Sequence, residues 1–221
     1  MIWLRSILFF AFLVVFTPPY AIACFIVFPF MSAAKRYDFV RGWNVAVLAV
    51  ARVLCGIRYE IRGMENMTSN LDQQVIVLSK HQSAWETIAF LAILPKQLCY
   101  VFKRELLFVP FFGWALGMLR MIHIDRSKSS AASNSIAKQG KERLAQGCWI
   151  IIHPEGTRAP VGKNIPYRKG GARLAVATNA LVIPIAHNAG TVWPRNSFLK
   201  YLHISHILCL KLVVNKIILN I

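Results

Sequence analysis

The chain has 221 residues, with 26 lysines and arginines against 9 acidic residues, a net charge of +17, and is 56% hydrophobic. Its mean hydropathy is +0.48, which argues against a nucleic-acid binder, because such a protein carries its cations on a more polar surface. An anionic membrane surface and small phosphorylated substrates remain as partner classes. The length suits one domain, or one domain with an appendage.

The N-terminus opens with residues 6–32, which carry no charge, flanked by Arg5 on one side and Lys35, Arg36 and Arg41 on the other. Ala21-Ile22-Ala23 has the small-x-small form of a signal-peptide cleavage site, but the apolar run continues straight through it. The run is long enough to span a bilayer. Pro18 and Pro19 each remove a backbone donor, so the reading is two short helices, about 6–16 and 20–33. These form a hairpin dipping into one leaflet or a kinked span, and positive flanks on both sides suit a return to the cytoplasmic face.

Phe39, Trp43, Ala46, Val50 and Val53 recur at helical steps, predicting a helix over 36–56 that Gly56 stops. Residues 57–67 alternate as a strand, and Val75–Lys80 reads as a short buried strand. HQSAW is its exit loop, and a helix follows until Pro95. Further strands are predicted at CYVFKRE, IHIDRS, CWIII and LVIPIAH, separated by helical stretches. One of these is an amphipathic helix that ends at Gly147. Strands alternating with helices predict an α/β fold with a mainly parallel sheet flanked by helices, behind an N-terminal apolar membrane anchor. The expected organisation is an anchor at 1–35, an α/β domain at 36–201, and an atypical tail at 202–221. That tail has no acidic residue, and its expected origin is a frameshifted or truncated coding sequence, leaving edge strands missing.

The five cysteines, Cys24, Cys55, Cys99, Cys148 and Cys209, are odd in number and form no CxxC pair. That argues against a disulfide framework and a zinc ribbon. They read as buried small hydrophobes in a reducing compartment.

Polar groups cluster where the predicted strands end, which is where open α/β sheets hold ligands. His81 stands five residues before Glu86. Ser83-x-x-Glu86 before an apolar run is also a capping box, which would explain Glu86 but not His81. Five residues apart on a continuous helix, the two would be about 140° out of alignment, so they meet only if His81 precedes the first turn. A carboxylate beside an imidazole fixes its tautomer and stabilises the imidazolium, making a general base. His153-Pro154-Glu155-Gly156-Thr157-Arg158 follows a strand. It offers a glycine for close backbone approach and an arginine for an anion, although Glu155 and Arg158 alone also read as a structural ion pair. Lys103-Arg104-Glu105-Leu106, Ile124-Asp125-Arg126 and Val182-Ile183-Pro184-Ile185 are weak signals singly.

In order, H-x4-[DE], K-x-E-L-x3-P-x2-G, I-D-R, P-E-G-T-R and V-I-P-I resemble the glycerolipid acyltransferase family, in particular its lysophosphatidate-acylating branch, over residues 75–188. The resemblance implies that His81 takes the proton from an acceptor's sn-2 hydroxyl, which attacks the thioester of acyl-CoA or acyl-carrier protein. Glu86, where most relatives have aspartate, would orient His81. Lys103, Arg126, Glu155, Gly156, Thr157 and Arg158 would form the acceptor-phosphate and thioester site. His153 stands where relatives usually have phenylalanine. The implied product is phosphatidate for phospholipid biosynthesis, made at the cytoplasmic face of a bacterial inner membrane, with no cofactor, no metal and no nucleic-acid partner. The oligomeric state is open. Thioester chemistry agrees: the leaving group is good, so the main need is to deprotonate an alcohol, and no Ser or Cys sits in a nucleophile elbow. Three rival readings stand beside this one: an acyltransferase for another lysolipid such as lyso-ornithine lipid, a zinc hydrolase gathering His81, Glu86, Asp125 and His153 without an H-x3-H pair, and a non-enzymatic basic membrane adaptor.

Overall fold

The computed structural model describes residues 1–109, 112–125 and 129–210. The N-terminal run is one helix, α1 (Ile2–Val27), and passes through Pro18 and Pro19 without a break. The two expected helices are therefore one. The reason lies in where the prolines fall. Both are on the exposed side of α1, as are Val14 and Val15, whose carbonyls lose their intrahelical donors. No packed neighbour meets the rings there, and the fixed proline φ is itself helical.

A tight turn at Phe28–Phe30 reverses the chain, and Ser32 Oγ accepts from Lys35 N as α2 (Ala33–Val50) begins. One π-type turn, Ala51–Cys55, extends α2 to Gly56 in the left-handed region. α1 and α2 form a returning pair. Tyr20 Oη donates to the Phe39 carbonyl, and the Cys55 thiol reaches the Arg5 carbonyl at 3.7 Å. The flanking arginines turn inward rather than only marking a membrane face. Arg36 donates to the carbonyls of Phe28 and Met118, and Arg41 to that of Ala92.

β1 (Arg58–Arg62) is shorter than the alternation suggested, and α3 (Glu65–Thr68) takes its last residues. Then come β2 (Val75–Ser79), α4 (Trp85–Ile93), β3 (Leu98–Lys103), α5 (Phe112–Met118), β4 (Ile122–Ile124) and α6 (Ser129–Ala145). They are followed by β5 (Trp149–Ile152), α7 (Gly170–Thr178), β6 (Leu181–His187), α8 (Ala189–Val192) and β7 (Ile204–Cys209). The seven strands form one sheet in the order β1-β7-β6-β2-β5-β3-β4. Every pairing is parallel except β6 with β7. The sheet is thus mainly parallel, as expected for strands linked by helical crossovers. β7 lies inside residues 202–221, the expected tail, yet it is an interior strand that joins β1 to β6.

The helices α2 and α4 pack together, as do α6 and α7, and the two pairs flank the sheet. The core joins Trp85, Phe90, Ile76, Ile150, Ile151 and Trp149, all fully buried. All five cysteines are free and buried, as their apolar surroundings implied.

α1 lies along the α/β domain and touches it at both ends. Near its start, Phe9 meets Trp193 edge-on at 5.5 Å, Trp3 stacks with Phe198, and Ser6 Oγ accepts from Lys200 N at 3.0 Å. Near its end, Phe25 meets Trp114 at 5.7 Å. The remaining side exposes Leu4, Val15, Ile22 and Ile26. Ile2–Phe30 is the one segment among the described residues long and apolar enough to cross a membrane.

Candidate active site

β2, β5 and β3 run parallel side by side, so their C-terminal ends deliver His81, the His153–Arg158 segment and Lys103 to one edge of the sheet. His81 sits in the loop before α4, where the helix geometry required it. Its Nδ1 lies 2.8 Å from Glu86 Oε1, and the histidine side chain is 18% exposed while Glu86 is fully buried. With Nδ1 bonded to the carboxylate, Nε2 is the nitrogen left to exchange a proton.

Glu86 also serves the helix start. Its Oε1 accepts from the backbone N–H groups of Gln82 and Ser83, both at 2.9 Å. Ser83 Oγ accepts from Trp85 N at 2.9 Å and donates to the Trp193 carbonyl at 2.6 Å. One carboxylate therefore holds both the chain entering α4 and the imidazole, and the Ser83 N–H bond is the capping-box half that the sequence suggested. Burial alone would raise the Glu86 carboxyl; the bond from His81 and the nearby His187 outweigh it, and the group is held below its ordinary value.

His153 stacks on His81, with ring centres 4.1 Å apart and planes within 11°. Its Nδ1 faces the Ser79 carbonyl at 2.9 Å and so carries the proton. Its Nε2 is buried with no hydrogen-bond partner among the described residues. Burial, with His81 beside it, pushes His153 down from 6.5 to about 4, so it is neutral near pH 7. His187, which the motif reading passed over, is placed in the same way. It donates from Nε2 to the Lys80 carbonyl at 2.7 Å and accepts from Ala189 N at Nδ1, and burial lowers it too. A histidine at the exit of a predicted strand, as at His81, was the available signal.

The loop after β5 wraps around His81. Ala159 N donates to the His81 carbonyl at 2.7 Å, and Gly156 turns the chain at φ +67. Glu155 does not face the opening: it is 2% exposed. Its carboxyl looks toward the backbone N–H groups of Glu155 and His81 without closing a bond of good geometry, and burial pushes it up. Thr157 is exposed and Arg158 half-buried. Lys103 is exposed at the end of β3, beside the Arg104–Asp125 ion pair at 3.7 Å. Arg126 lies outside the described residues. A cation that the motifs missed comes from the approach to α7: a Cβ on Gly156 would stand 3.1 Å from Arg168 Nε, and Arg168 N donates to the Pro154 carbonyl. Among the described residues, no group of three or more His, Cys, Asp or Glu is placed to hold a metal.

Residues 58–188 match the family model described as Acyltransferase. The chain is 45% identical over 199 residues to the 1-acyl-sn-glycerol-3-phosphate acyltransferase of Pseudomonas aeruginosa, covering 90% of this chain and 76% of that protein. It is 32% identical over 153 residues to the 1-acyl-sn-glycerol-3-phosphate acyltransferase alpha of Mus musculus, covering 66% of this chain and 53% of that one. The crystal structure of the 1-acyl-sn-glycerophosphate (LPA) acyltransferase PlsC from Thermotoga maritima superposes with a TM-score of 0.74. It covers 96% of this chain and 85% of the other, and at 21% identity the likeness is one of fold.

Proposed function

This chain belongs to the acyltransferase family, and on that premise we propose that it acylates the sn-2 hydroxyl of lysophosphatidate with a thioester donor, giving phosphatidate. The observation that carries this reading is the 2.8 Å contact between His81 Nδ1 and the buried Glu86, which leaves Nε2 toward solvent. The names of the relatives point to the same acceptor.

The proton on the acceptor hydroxyl passes to His81 Nε2 as the oxygen attacks the thioester carbon. Glu86 stabilises the imidazolium that forms. The tetrahedral oxyanion then expels the thiolate, which takes the proton from Nε2. His81 ends neutral, and one C–O bond has replaced one C–S bond. Lys103, Arg158 and Arg168 are the cations assigned to the acceptor phosphate, with Arg126 added by its motif. Gly156 and Thr157 shape that loop, and Glu155 supports it from beneath. The donor is acyl-CoA or acyl-carrier protein, with no further cofactor. The apolar outer side of α1 lies in a membrane leaflet, placing the site at the cytoplasmic face of a bacterial inner membrane, where the acceptor and product reside.

The test is thiol release from palmitoyl-CoA with lysophosphatidate in mixed micelles. His81→Ala is expected to lose about 10²–10⁴-fold in kcat. Glu86→Gln keeps an acceptor for the cap but loses the charge, so kcat falls while the fold survives. A folded His81→Ala protein with full activity would sink the mechanism, and turnover only with phosphate-free lysolipids would move the acceptor.

A further inference from the structure

Beside His81, on the side away from Lys103, a groove of about 630 Å³ opens between two chain segments. One wall is Ala159–Val161, from the loop after β5. The other runs from Gly190 to Asn196, after β6. Gln82, the residue following His81, lines the groove between them. In the sheet order β6-β2-β5-β3 the groove spans the end of β2, between the loop after β5 and the segment after β6, while Lys103 ends β3, one strand further along.

The groove is tied to the site by three hydrogen bonds. Ala159 N donates to the His81 carbonyl, Gly190 N to Gln82 Oε1 at 3.5 Å, and Arg195 Nη1 to the Arg158 carbonyl at 2.7 Å. The two walls close on Gly190: a Cβ there would stand 2.6 Å from Val161 Cγ2 and 3.2 Å from Gln82 Cβ. Only a glycine fits at that crossing.

Acyl transfer brings two substrates to one base, and they must approach from different directions. The cations proposed for the acceptor phosphate flank His81 on the β3 and β5 side. The groove offers a second approach, reaching past Gln82 on the β6 side, and its chemistry selects its occupant. A fatty tail favours an unbroken apolar wall. Here apolar Pro160, Val161 and Pro194 share the lining with Gln82, Thr191, Asn196 and Tyr201, and Arg195 is its single cation. That mixture suits a thin chain with two secondary amides, a hydroxyl and a terminal phosphate. The volume falls within the usual range for a small-molecule site, about 300–1,000 Å³.

We propose that this groove binds the 4′-phosphopantetheine arm of the thioester donor, with Arg195 toward the phosphate and the thioester end at His81. The arm is common to acyl-CoA and acyl-carrier protein, so one groove serves both. This assignment rests on the acyl-transfer reading of His81.

Two groove-filling variants on opposite walls, Val161→Trp and Thr191→Trp, test it. Initial rates are measured with palmitoyl-CoA, palmitoyl-acyl-carrier protein and palmitoyl-N-acetylcysteamine, which lacks most of the arm. Both variants are expected to raise KM for the two full-arm donors by about tenfold, which corresponds to about 1.4 kcal/mol of binding. The wild-type preference for full-arm donors over the truncated one shrinks accordingly. A rise confined to the carrier protein indicates docking of a protein surface and overturns the proposal. So does a rise in the KM of lysophosphatidate, or an equal loss with the truncated donor. Binding of 4′-phosphopantetheine itself, measured by calorimetry, separates this proposal from the acyl-transfer reading. The wild type is expected to bind it and Val161→Trp to bind it about tenfold more weakly. Equal affinities overturn the groove assignment whatever the acyl-transfer assay gives.

Discussion

His153 lies flat against His81 at 4.1 Å and is anchored from its other side by the Ser79 carbonyl. The His81 imidazole is thus clamped between a carboxylate at Nδ1 and a neutral ring on its face. A phenylalanine at the His153 position would keep the face contact and drop the anchor.

His153→Phe therefore trades a hydrogen bond for freedom from titration. At pH 7 the variant leaves the Ser79 carbonyl without its donor, at a cost of about 1–3 kcal/mol. The wild-type histidine is depressed from 6.5 to about 4 in the fold. Its stabilising contribution is full above pH 6.5 and is lost as pH falls toward 4, on the order of 3 kcal/mol. The wild type should lead at pH 7 and lose that lead on acidification, read by urea unfolding at a series of pH values. A constant gap across that range would mean that His153 does not titrate as a buried neutral ring.

Glu155 carries the opposite sign. Its carboxyl is raised by burial, so its contribution is present at low pH and is lost as pH rises through the folded value. Glu155→Gln removes that dependence. Thermal unfolding should show the variant gaining on the wild type from pH 4 to pH 7. A wild type that instead gains on the variant with rising pH would place an unseen donor on the carboxylate.

The two sides of α1 separate stability from attachment. Phe9 is buried against Trp193, and Phe9→Ala should cost about 3–5 kcal/mol in detergent-solubilised protein. Val15 is 72% exposed on the other side. Val15→Asp should leave the unfolding midpoint in place while reducing flotation with phosphatidylglycerol vesicles. Equal flotation of Val15→Asp and wild type would mean that the outer side of α1 does not enter lipid.

Arg168 stands over Gly156, where Cβ-free backbone lets the guanidinium approach. Arg168→Ala should raise the KM of lysophosphatidate by about ten- to a hundredfold, the scale of a charge-assisted contact. The KM of the donor should hold. A change in donor KM alone would reassign Arg168 to the thioester.

Legibility tracked sequence distance. His81 and Glu86 lie within one turn of a helix start, so their meeting followed from helix geometry and capping chemistry. The stop at Gly56 and the parallel strands followed from local patterns in the same way. Pro18 and Pro19 misled because local propensity cannot say which side of a helix will be free of neighbours. Residues 202–221 were read as an atypical tail from their composition, and the pairing of β7 with β1, far back in the chain, was beyond the reach of local pattern. Arg168 and His187 reach the site only through loops whose course depends on packing.

The placing of β7 orders events in time. β1 touches the sheet only through β7, with Arg58 paired to Ile204. On a ribosome, α1 and α2 emerge well before β7, so β1 waits unpaired while the β2-to-β6 block can already assemble. Pairings this distant in sequence are slow to form. The apolar outer side of α1 is therefore presented to its surroundings before β1 has a place in the sheet.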